Sequence, residues 1–329
     1  VFNLGEFAMK KSLIALAVLA ASGAAMAQSS VTLYGVVDLS VGKIEGQKVQ
    51  MHGNNKVTNG NSRIGFRGVE DLGGGLKAGF NFEQGVNAEN GSTEAPTFQR
   101  QANVFIEGGF GEFKMGRAYT PSYNGLAVWE LTGAANYSVV ANTYAFVGTG
   151  PRNSSQFSYK TPSLSGFSAE VGFIAKGDNN NDSKVDANLV YANGPLGIGL
   201  SYNKVNHAKA NYALGGKYDF GVFALAASYN DARSVRYVDI NGNVLSNAGR
   251  RSGVSLGGLV KFDNLSFALD LTRDMKREYA MGATTVKLKK YTNGVVEAKY
   301  AMSKRTFVYA DFLRVDDENS YGVGLRHNF

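Results

Sequence analysis

The chain has 329 residues and a formal net charge of +7, with no cysteine and only 5 prolines beside 41 glycines. The lack of cysteine excludes a disulfide framework and a thiolate metal site. Abundant glycine, tyrosine and phenylalanine favour strands and tight turns over helices. No segment after the first 27 residues approaches the roughly 18 apolar residues of a membrane helix, so a membrane protein of this composition must cross with strands.

The N-terminus has the three parts of a secretory signal peptide. Met9 is followed by two lysines, the apolar run SLIALAVLAA and the tripeptide AMA, which ends at Ala27. This order predicts export with cleavage after Ala27, and the apolar run is too short to serve as a membrane anchor. We interpret residues 9–27 as the signal peptide and residues 1–8 as a non-native leader upstream of the start methionine. Export argues against nucleic acid as a partner of the basic mature chain.

Hydrophobicity alternates with a period of two from residue 31 to the C-terminus. In 76–83, leucine, alanine and phenylalanine occupy the even positions, and lysine, asparagine and glutamate occupy most of the odd positions. Such alternation predicts a strand with one apolar and one polar face. Sixteen segments have this pattern, and we predict strands at about 31–42, 61–70, 75–86, 97–108, 112–119, 153–161, 166–176, 184–193, 196–204, 209–218, 221–230, 251–262, 265–274, 289–300, 306–315 and 319–329.

The connections between these segments alternate in length. Short connections lie at 71–75, 108–111, 161–166, 193–197, 219–221 and 262–264. Long polar connections lie at 43–60, 87–96, 119–152, 231–250 and 275–288. Short periplasmic turns and long outer loops are the layout of an outer-membrane barrel. Because backbone groups cannot stay unpaired in lipid, we predict an all-β fold, a closed transmembrane antiparallel β-barrel of sixteen strands.

A soluble β-sandwich would also have alternating strands. It would bury its apolar faces in one core, however, and it would not need sixteen similar strands with aromatic residues near their ends. Tyrosines near the predicted strand ends favour the aromatic girdles of a membrane barrel. They are Tyr34, Tyr119, Tyr159, Tyr202, Tyr218, Tyr229, Tyr300 and Tyr321.

Four stretches of the mature chain resemble the trimeric porins of betaproteobacteria. They are SSVTLYGVVDLSV, SRIGFRGVEDLGGGLKAGFNFE, GGFGEFKMGRAYTPSY and YGVGLRHNF, and the resemblance covers essentially all of 28–329 as one barrel domain. It implies a homotrimer in outer-membrane lipid and a third long loop folded into the lumen as a constriction. The terminal Phe329 resembles the signal that the barrel assembly machinery recognises.

The segment from about residue 119 to residue 150 has no sustained alternation and is longer than an ordinary loop. Its apolar residues include Leu126, Trp129 and Phe146, so we expect it to pack against the barrel interior. The alternative is a mobile surface loop. Its one acidic residue, Glu130, is a candidate constriction residue. Porins that select cations usually set loop acids opposite a basic cluster, so this scarcity of acids predicts an anion preference.

Arginine suits an anion filter, because it stays charged and binds carboxylate or phosphate with a planar fork. By the resemblance, three arginines match the basic cluster that lines the constriction of anion-selective porins: Arg63, Arg100 and Arg152. The alternation of their own segments directs Arg63, Arg67 and Arg152 into the lumen, and Ser154 with them.

Arg100 is harder to place, since it shares the phase of the apolar Ala102. A bulge near Gln101 would turn it inward, and the resemblance favours that arrangement. Without the bulge, Gln99 and Gln101 would line the pore instead. Glu83 lies on the inward phase and matches a family acid near the constriction, where we expect it to hold an arginine in place.

The expected function is that of an outer-membrane porin, a water-filled channel for passive diffusion of small hydrophilic solutes and ions, with anionic solutes preferred. A substrate-specific channel or an adhesin-like barrel is the alternative. No enzyme is expected, since the three histidines, His52, His207 and His327, form no evident constellation with a carboxylate. No cofactor or metal is expected either. The stretch 177–186 has calcium-loop spacing but lacks the required glycine and bidentate glutamate.

Overall fold

A single antiparallel sheet makes up most of this molecule. The computed structural model describes residues 30–144, 150–238 and 244–329, so the predicted leader and signal peptide lie outside the described residues. The strands are β1 (Ser30–Lys43), β2 (Gln50–His52), β3 (Arg63–Gly73), β4 (Leu76–Gly85), β5 (Gln101–Gly108), β6 (Gly111–Tyr119), β7 (Arg152–Lys160), β8 (Phe167–Ile174), β9 (Lys184–Asn193), β10 (Leu196–Val205), β11 (Asn211–Asp219), β12 (Phe223–Val238), β13 (Val244–Phe262), β14 (Leu265–Met281), β15 (Thr284–Lys287), β16 (Thr292–Ala301), β17 (Thr306–Val315) and β18 (Glu318–Asn328).

The first and last strands pair with each other and close the sheet. Val36 of β1 lies opposite Asn328 of β18, and the paired strands are antiparallel throughout the described residues. Sixteen of the described strands form this closed barrel, while β2 and β15 are short additions that pair with β1 and β14. The predicted fold class is confirmed, and each of the sixteen predicted segments coincides with a strand of the wall.

Burial in this barrel is the inverse of that in a soluble protein. On β11, Leu214 is 52% exposed, whereas the adjacent Ala213 is 1% exposed. The apolar phase of each strand faces outward, as it must where hydrocarbon is the solvent. Near the turns the outer surface carries aromatic pairs, such as Phe113 and Tyr159, whose ring centroids are 4.6 Å apart. This arrangement suits a membrane-spanning wall.

Two connections that were predicted as long polar loops are largely strand. β12 extends to Val238 and β13 begins at Val244, so most of 231–250 is a β-hairpin. β14 likewise extends to Met281 and pairs with β15. The prediction was wrong because a strand whose two faces both meet water need not alternate, and hydrophobic periodicity then gives no signal.

Two short helices and their connections link β6 to β7: α1 (Pro121–Ala127) and α2 (Val139–Tyr144). The Thr120 side chain caps α1 by accepting the N–H of Tyr123 at 3.1 Å, and a proline opens the first turn. Among the described residues, no helix is long and apolar enough to cross a membrane.

Residues 120–144, here called the helical segment, pack against the polar face of the wall. The Ser122 N–H donates to Oδ1 of Asp186 at 2.6 Å, and the Ser201 hydroxyl donates to the Ser122 carbonyl at 2.8 Å. Trp129 and Tyr137 are at most 1% exposed. The apolar core of the protein therefore lies between the helical segment and the strands, and not between two sheets.

Candidate functional site

An open cavity of about 710 Å³ lies where the helical segment faces β3, β7 and β18. The surrounding wall contributes four arginines, and the helical segment contributes mainly small and amide side chains. The arginines are Arg63, Arg100, Arg152 and Arg326. This concentration of guanidinium groups makes the cavity the candidate site.

Glu83 of β4 holds two of these arginines. Its carboxylate accepts a hydrogen bond from Nε of Arg100 at 2.7 Å, and it lies 3.4 Å from Nε of Arg63. The hydroxyl of Tyr34 donates to the same carboxylate at 3.1 Å. Glu83 is 3% exposed, so its charge is buried but fully surrounded by donors.

Arg100 reaches the cavity by a route that alternation does not describe. β5 begins one residue later, at Gln101, which lies opposite Glu83 in the ladder with β4. Arg100 also bonds to the Glu83 backbone, so two residues face one, as in the predicted bulge. Arg100 precedes the strand, and its N–H still donates to the Glu83 carbonyl at 3.2 Å. Because Arg100 lies outside the regular strand, its side chain need not point outward with that of Ala102.

Arg152 lies at the start of β7 and stacks on aromatic rings. Its guanidinium carbon is 4.1 Å from the ring centroid of Tyr119, and Nη2 donates to the Tyr119 hydroxyl at 2.5 Å. Tyr119 in turn stacks on Tyr123, with centroids 4.8 Å apart and planes within 10°. Burial raises the pKa of Tyr123 to about 12, so this phenol stays neutral at physiological pH.

The inward position of Ser154 was predicted wrongly. The ladder between β6 and β7 is irregular between Gly116 and Ala118, and it shifts the phase of β7. Asn153 is buried, whereas Ser154 is exposed and accepts a hydrogen bond from Nη1 of Arg117 at 2.7 Å. Counting back from the apolar residues of β7 therefore fails at this irregularity.

Arg326 of β18 was not among the predicted site residues. Its Nη1 donates to Oδ1 of Asn59 at 2.8 Å, and its Nε donates to Oδ1 of Asn328 at 3.1 Å. Its alternation with Leu325 along the last strand is consistent with the polar face. No feature of the sequence around Arg326 predicts that it lies at the same height along the barrel as Arg63, because that height follows from the closure of the barrel.

Two predicted constriction residues lie outside the cavity lining. Arg67 is exposed and stands over the ring of Tyr34, 5.3 Å from its centroid. Glu130 is 2% exposed, and its carboxylate accepts the Thr132 hydroxyl at 2.7 Å and the Ala134 N–H at 2.5 Å. The one acid of the helical segment is thus bound within that segment.

The far side of the helical segment rests on buried acids of the wall. The Tyr137 hydroxyl accepts a hydrogen bond from Asn59 at 2.7 Å, and burial together with the Glu297 carboxylate raises the pKa of Tyr137. Glu297 of β16 lies directly opposite Asp311 of β17. Neither carboxylate oxygen of Asp311 has a hydrogen-bond partner among the described residues.

The external stretch 177–186 and the histidines show no built metal site. Nε2 of His207 lies 3.9 Å from Oδ1 of Asp182, and the His207 side chain is largely exposed. Nδ1 of His327 lies 2.8 Å from the Thr306 hydroxyl. In the part of the chain that the structure describes, no group of three or more histidine or acidic side chains is placed to hold a metal ion.

Comparison with known proteins agrees with this geometry. The Gram-negative porin family model matches residues 13–320. The outer membrane porin protein 32 of Delftia acidovorans is 35% identical over 340 residues, covering 97% of this chain and 93% of the relative.

Several solved structures share the fold of this chain, and two of them illustrate the similarity. The anion-selective porin from Comamonas acidovorans superposes with a TM-score of 0.73 at 23% identity, covering 92% of this chain and 100% of that one. A trimer form of OmpT from Vibrio cholerae gives 0.67 at 16% identity, covering 92% and 99%. Since the family model spans most of the sequence and the wall is a closed sixteen-stranded barrel, the chain belongs to the Gram-negative porin family and forms a channel in the outer membrane.

Proposed function

We propose that this porin prefers small anions and that the arginine-lined cavity is the constriction of its channel. The observation that carries the proposal is the charge of the lining: four arginines contribute to it, and Glu83 is the carboxylate bound to two of them. Fixed positive charge beside low-dielectric walls raises the local concentration of anions. One protein of the same fold is described as an anion-selective porin, which agrees with the proposal.

We further propose that the helical segment is folded into the lumen and narrows it. Its hydrogen bonds to Asp186 and Ser201, and the burial of Trp129, are all on the polar face of the wall. In a closed membrane barrel that face encloses the aqueous channel. Gly133, Ala134 and neighbouring residues would then form the edge of the constriction opposite the arginines.

The remaining proposals concern assembly and export. A trimer form is known for one structure of the same fold, and we propose a homotrimer here. We propose that the chain is exported by the peptide 9–27 and that Phe329 is the terminal assembly signal. Phe329 is 45% exposed, and its backbone exchanges two hydrogen bonds of 3.0 Å with Gly35. Passive diffusion without catalysis is the proposed mode of action.

Reversal potentials in a potassium chloride gradient test the anion preference. The wild-type trimer should favour chloride, and the Arg63→Ala plus Arg152→Ala double variant should lose much of that preference. Arg273→Ala is the matched control, because Arg273 lies on the outward phase of β14 and bonds to Thr292. A wild-type channel that favours potassium contradicts the proposal. A double variant with unchanged selectivity contradicts the assignment of these side chains to the filter.

A further inference from the structure

We propose that Arg326 is a further specificity-determining residue and that, together with Arg152, it supplies most of the positive charge that a passing anion meets. The inference rests on the proposed anion preference. It gives less weight to Arg63 and Arg100, two of the three arginines that the resemblance assigns to the constriction.

The first step concerns charge compensation at Arg63 and Arg100. Both guanidinium groups share the Glu83 carboxylate, at 3.4 and 2.7 Å. Ion pairs this close appear to a passing ion largely as dipoles, whose field falls faster with distance than that of an isolated charge. The pair of arginines and Glu83 therefore present about one net positive charge in place of two.

The groups in direct contact with Arg152 are neutral instead. Its guanidinium is held by the ring and the hydroxyl of Tyr119, with Tyr123 stacked behind. The Glu83 carboxylate pairs with Arg63 and Arg100, and none of the ion pairs seen among the described residues includes Arg152. Its full charge therefore faces the cavity, and the aromatic stack orients it without neutralising it.

Arg326 is likewise fixed mainly by amides, those of Asn59 and Asn328. The nearest acid is Asp38, whose Oδ2 is 4.0 Å from Nη1 of Arg326. Both oxygens of Asp38 are already bound, Oδ1 by the Tyr309 hydroxyl at 2.6 Å and Oδ2 by the Gly60 N–H at 2.8 Å.

The sign of the electric field in the cavity depends on whether the Arg326 guanidinium or the Asp38 carboxylate lies nearer to it. The Asp38 side chain is 0% exposed, whereas the Arg326 side chain is 18% exposed and lines the cavity. An anion in the cavity therefore meets the guanidinium first, and Asp38, at 4.0 Å, compensates that charge less closely than Glu83 does at 3.4 and 2.7 Å from its two arginines. Since arginine stays ionised at every accessible pH, this charge is permanent.

Barrel closure explains why this residue joins the others. Val36 of β1 is the register partner of Arg63 on one side and of Asn328 on the other. Arg326 itself lies opposite Asp38. β18 and β3 thus lie on opposite sides of β1, and Arg326 is at the height along the barrel at which β3 begins with Arg63.

The test compares Arg326→Gln and Arg326→Lys in the full assembled channel, by reversal potential in a potassium chloride gradient. Removing one unit charge about 6 Å from an ion in water should disfavour chloride about threefold and favour potassium about threefold, so the chloride-to-potassium permeability ratio should fall by about tenfold. The lysine variant should keep most of the wild-type ratio. Arg314→Gln is the matched control, since Arg314 lies on the outward phase of β17 and pairs with Asp317 at 2.9 Å.

A second variant covers the case in which Arg326→Gln does not assemble. Asn59→Asp places a carboxylate against Nη1 of Arg326 and should lower the permeability ratio in the same direction. An anion-selective wild type whose ratio is unchanged by both variants overturns this inference and leaves the proposed function intact. A wild type without anion preference overturns the proposed function itself.

Discussion

Gly215 of β11 lies directly beneath the indole ring of Trp129. A Cβ atom at Gly215 would overlap the indole atoms Cε2 and Cδ2, so only a residue without a side chain leaves room for the ring. Trp129 is 1% exposed and belongs to the core between the helical segment and the wall. This contact fixes the distance between the segment and β11.

Gly215→Ala should therefore displace the helical segment, whereas Gly216→Ala should not. Overfilling a packed site typically costs about 1–3 kcal/mol. A Cβ at Gly216 would have its nearest neighbours at 3.7 Å, on the other face of the same strand. Thermal unfolding of the purified channel and single-channel current noise measure the effect. Equal behaviour of the two variants would show that the ring relaxes without cost.

Glu83→Gln should increase the anion preference. The change keeps the shape of the side chain but removes the negative charge that Arg63 and Arg100 share. Reversal potentials measure the effect, and Glu112→Gln is the control, because Glu112 pairs with Lys114 at 2.8 Å outside the arginine-lined cavity. A lower anion preference in Glu83→Gln would mean that the carboxylate matters more for orienting Arg100 than for its charge.

Tyr119→Phe and Tyr119→Ala should differ in their effect on Arg152. Phenylalanine keeps the stacked ring and loses only the hydroxyl acceptor, so we expect a small change in selectivity. Alanine removes a cation–π contact of roughly 1–2 kcal/mol in a desolvated site, and the freed guanidinium should give a weaker anion preference and a larger conductance.

The control for this pair is Tyr159→Phe, whose hydroxyl donates to the Phe110 carbonyl at 2.6 Å on the outer side of the wall. It should leave both selectivity and conductance unchanged. If Tyr119→Ala also leaves both unchanged, Arg152 does not depend on the aromatic stack for its position.

Asp311→Asn should leave the barrel as stable as the wild type or make it more stable at neutral pH. Asp311 faces Glu297 across adjacent strands, and like charges opposite each other destabilise a sheet. A buried carboxylate without hydrogen-bond partners carries a further desolvation cost that asparagine avoids. The midpoint of thermal unfolding, measured from neutral to acidic pH, checks this. The gain should shrink in acid, where the wild-type carboxyl is protonated.

Asp219→Asn serves as the control, because Asp219 pairs with Lys261 at 2.6 Å on an exposed part of the surface. Its effect on unfolding should be small at every pH. Strong destabilisation by Asp311→Asn across the whole pH range would show that the carboxylate has a structural partner that asparagine cannot replace.

Much of the wall could be predicted from hydrophobic periodicity, because lipid imposes a rule on every second residue of a spanning strand. Leu214, on the apolar phase, is on the outer surface as expected. The rule stops where both faces are wet, and the hairpin of β12 and β13 was therefore predicted as a loop. It also stops at irregularities of the ladder, and Ser154 was placed wrongly for that reason.

The candidate site was only partly predictable. Where the strands are regular, the sequence alone determined which face a residue takes, and so it directed Arg63 inward and left Arg326 on the polar face. Height along the barrel is a different quantity, because it depends on the stagger between neighbouring strands and on the closure of β1 with β18. Only the tertiary structure decided that Arg326 meets Arg63 at one height while Arg67 and Glu130 lie outside the cavity lining, since a period of two carries no information about residues far apart in the chain.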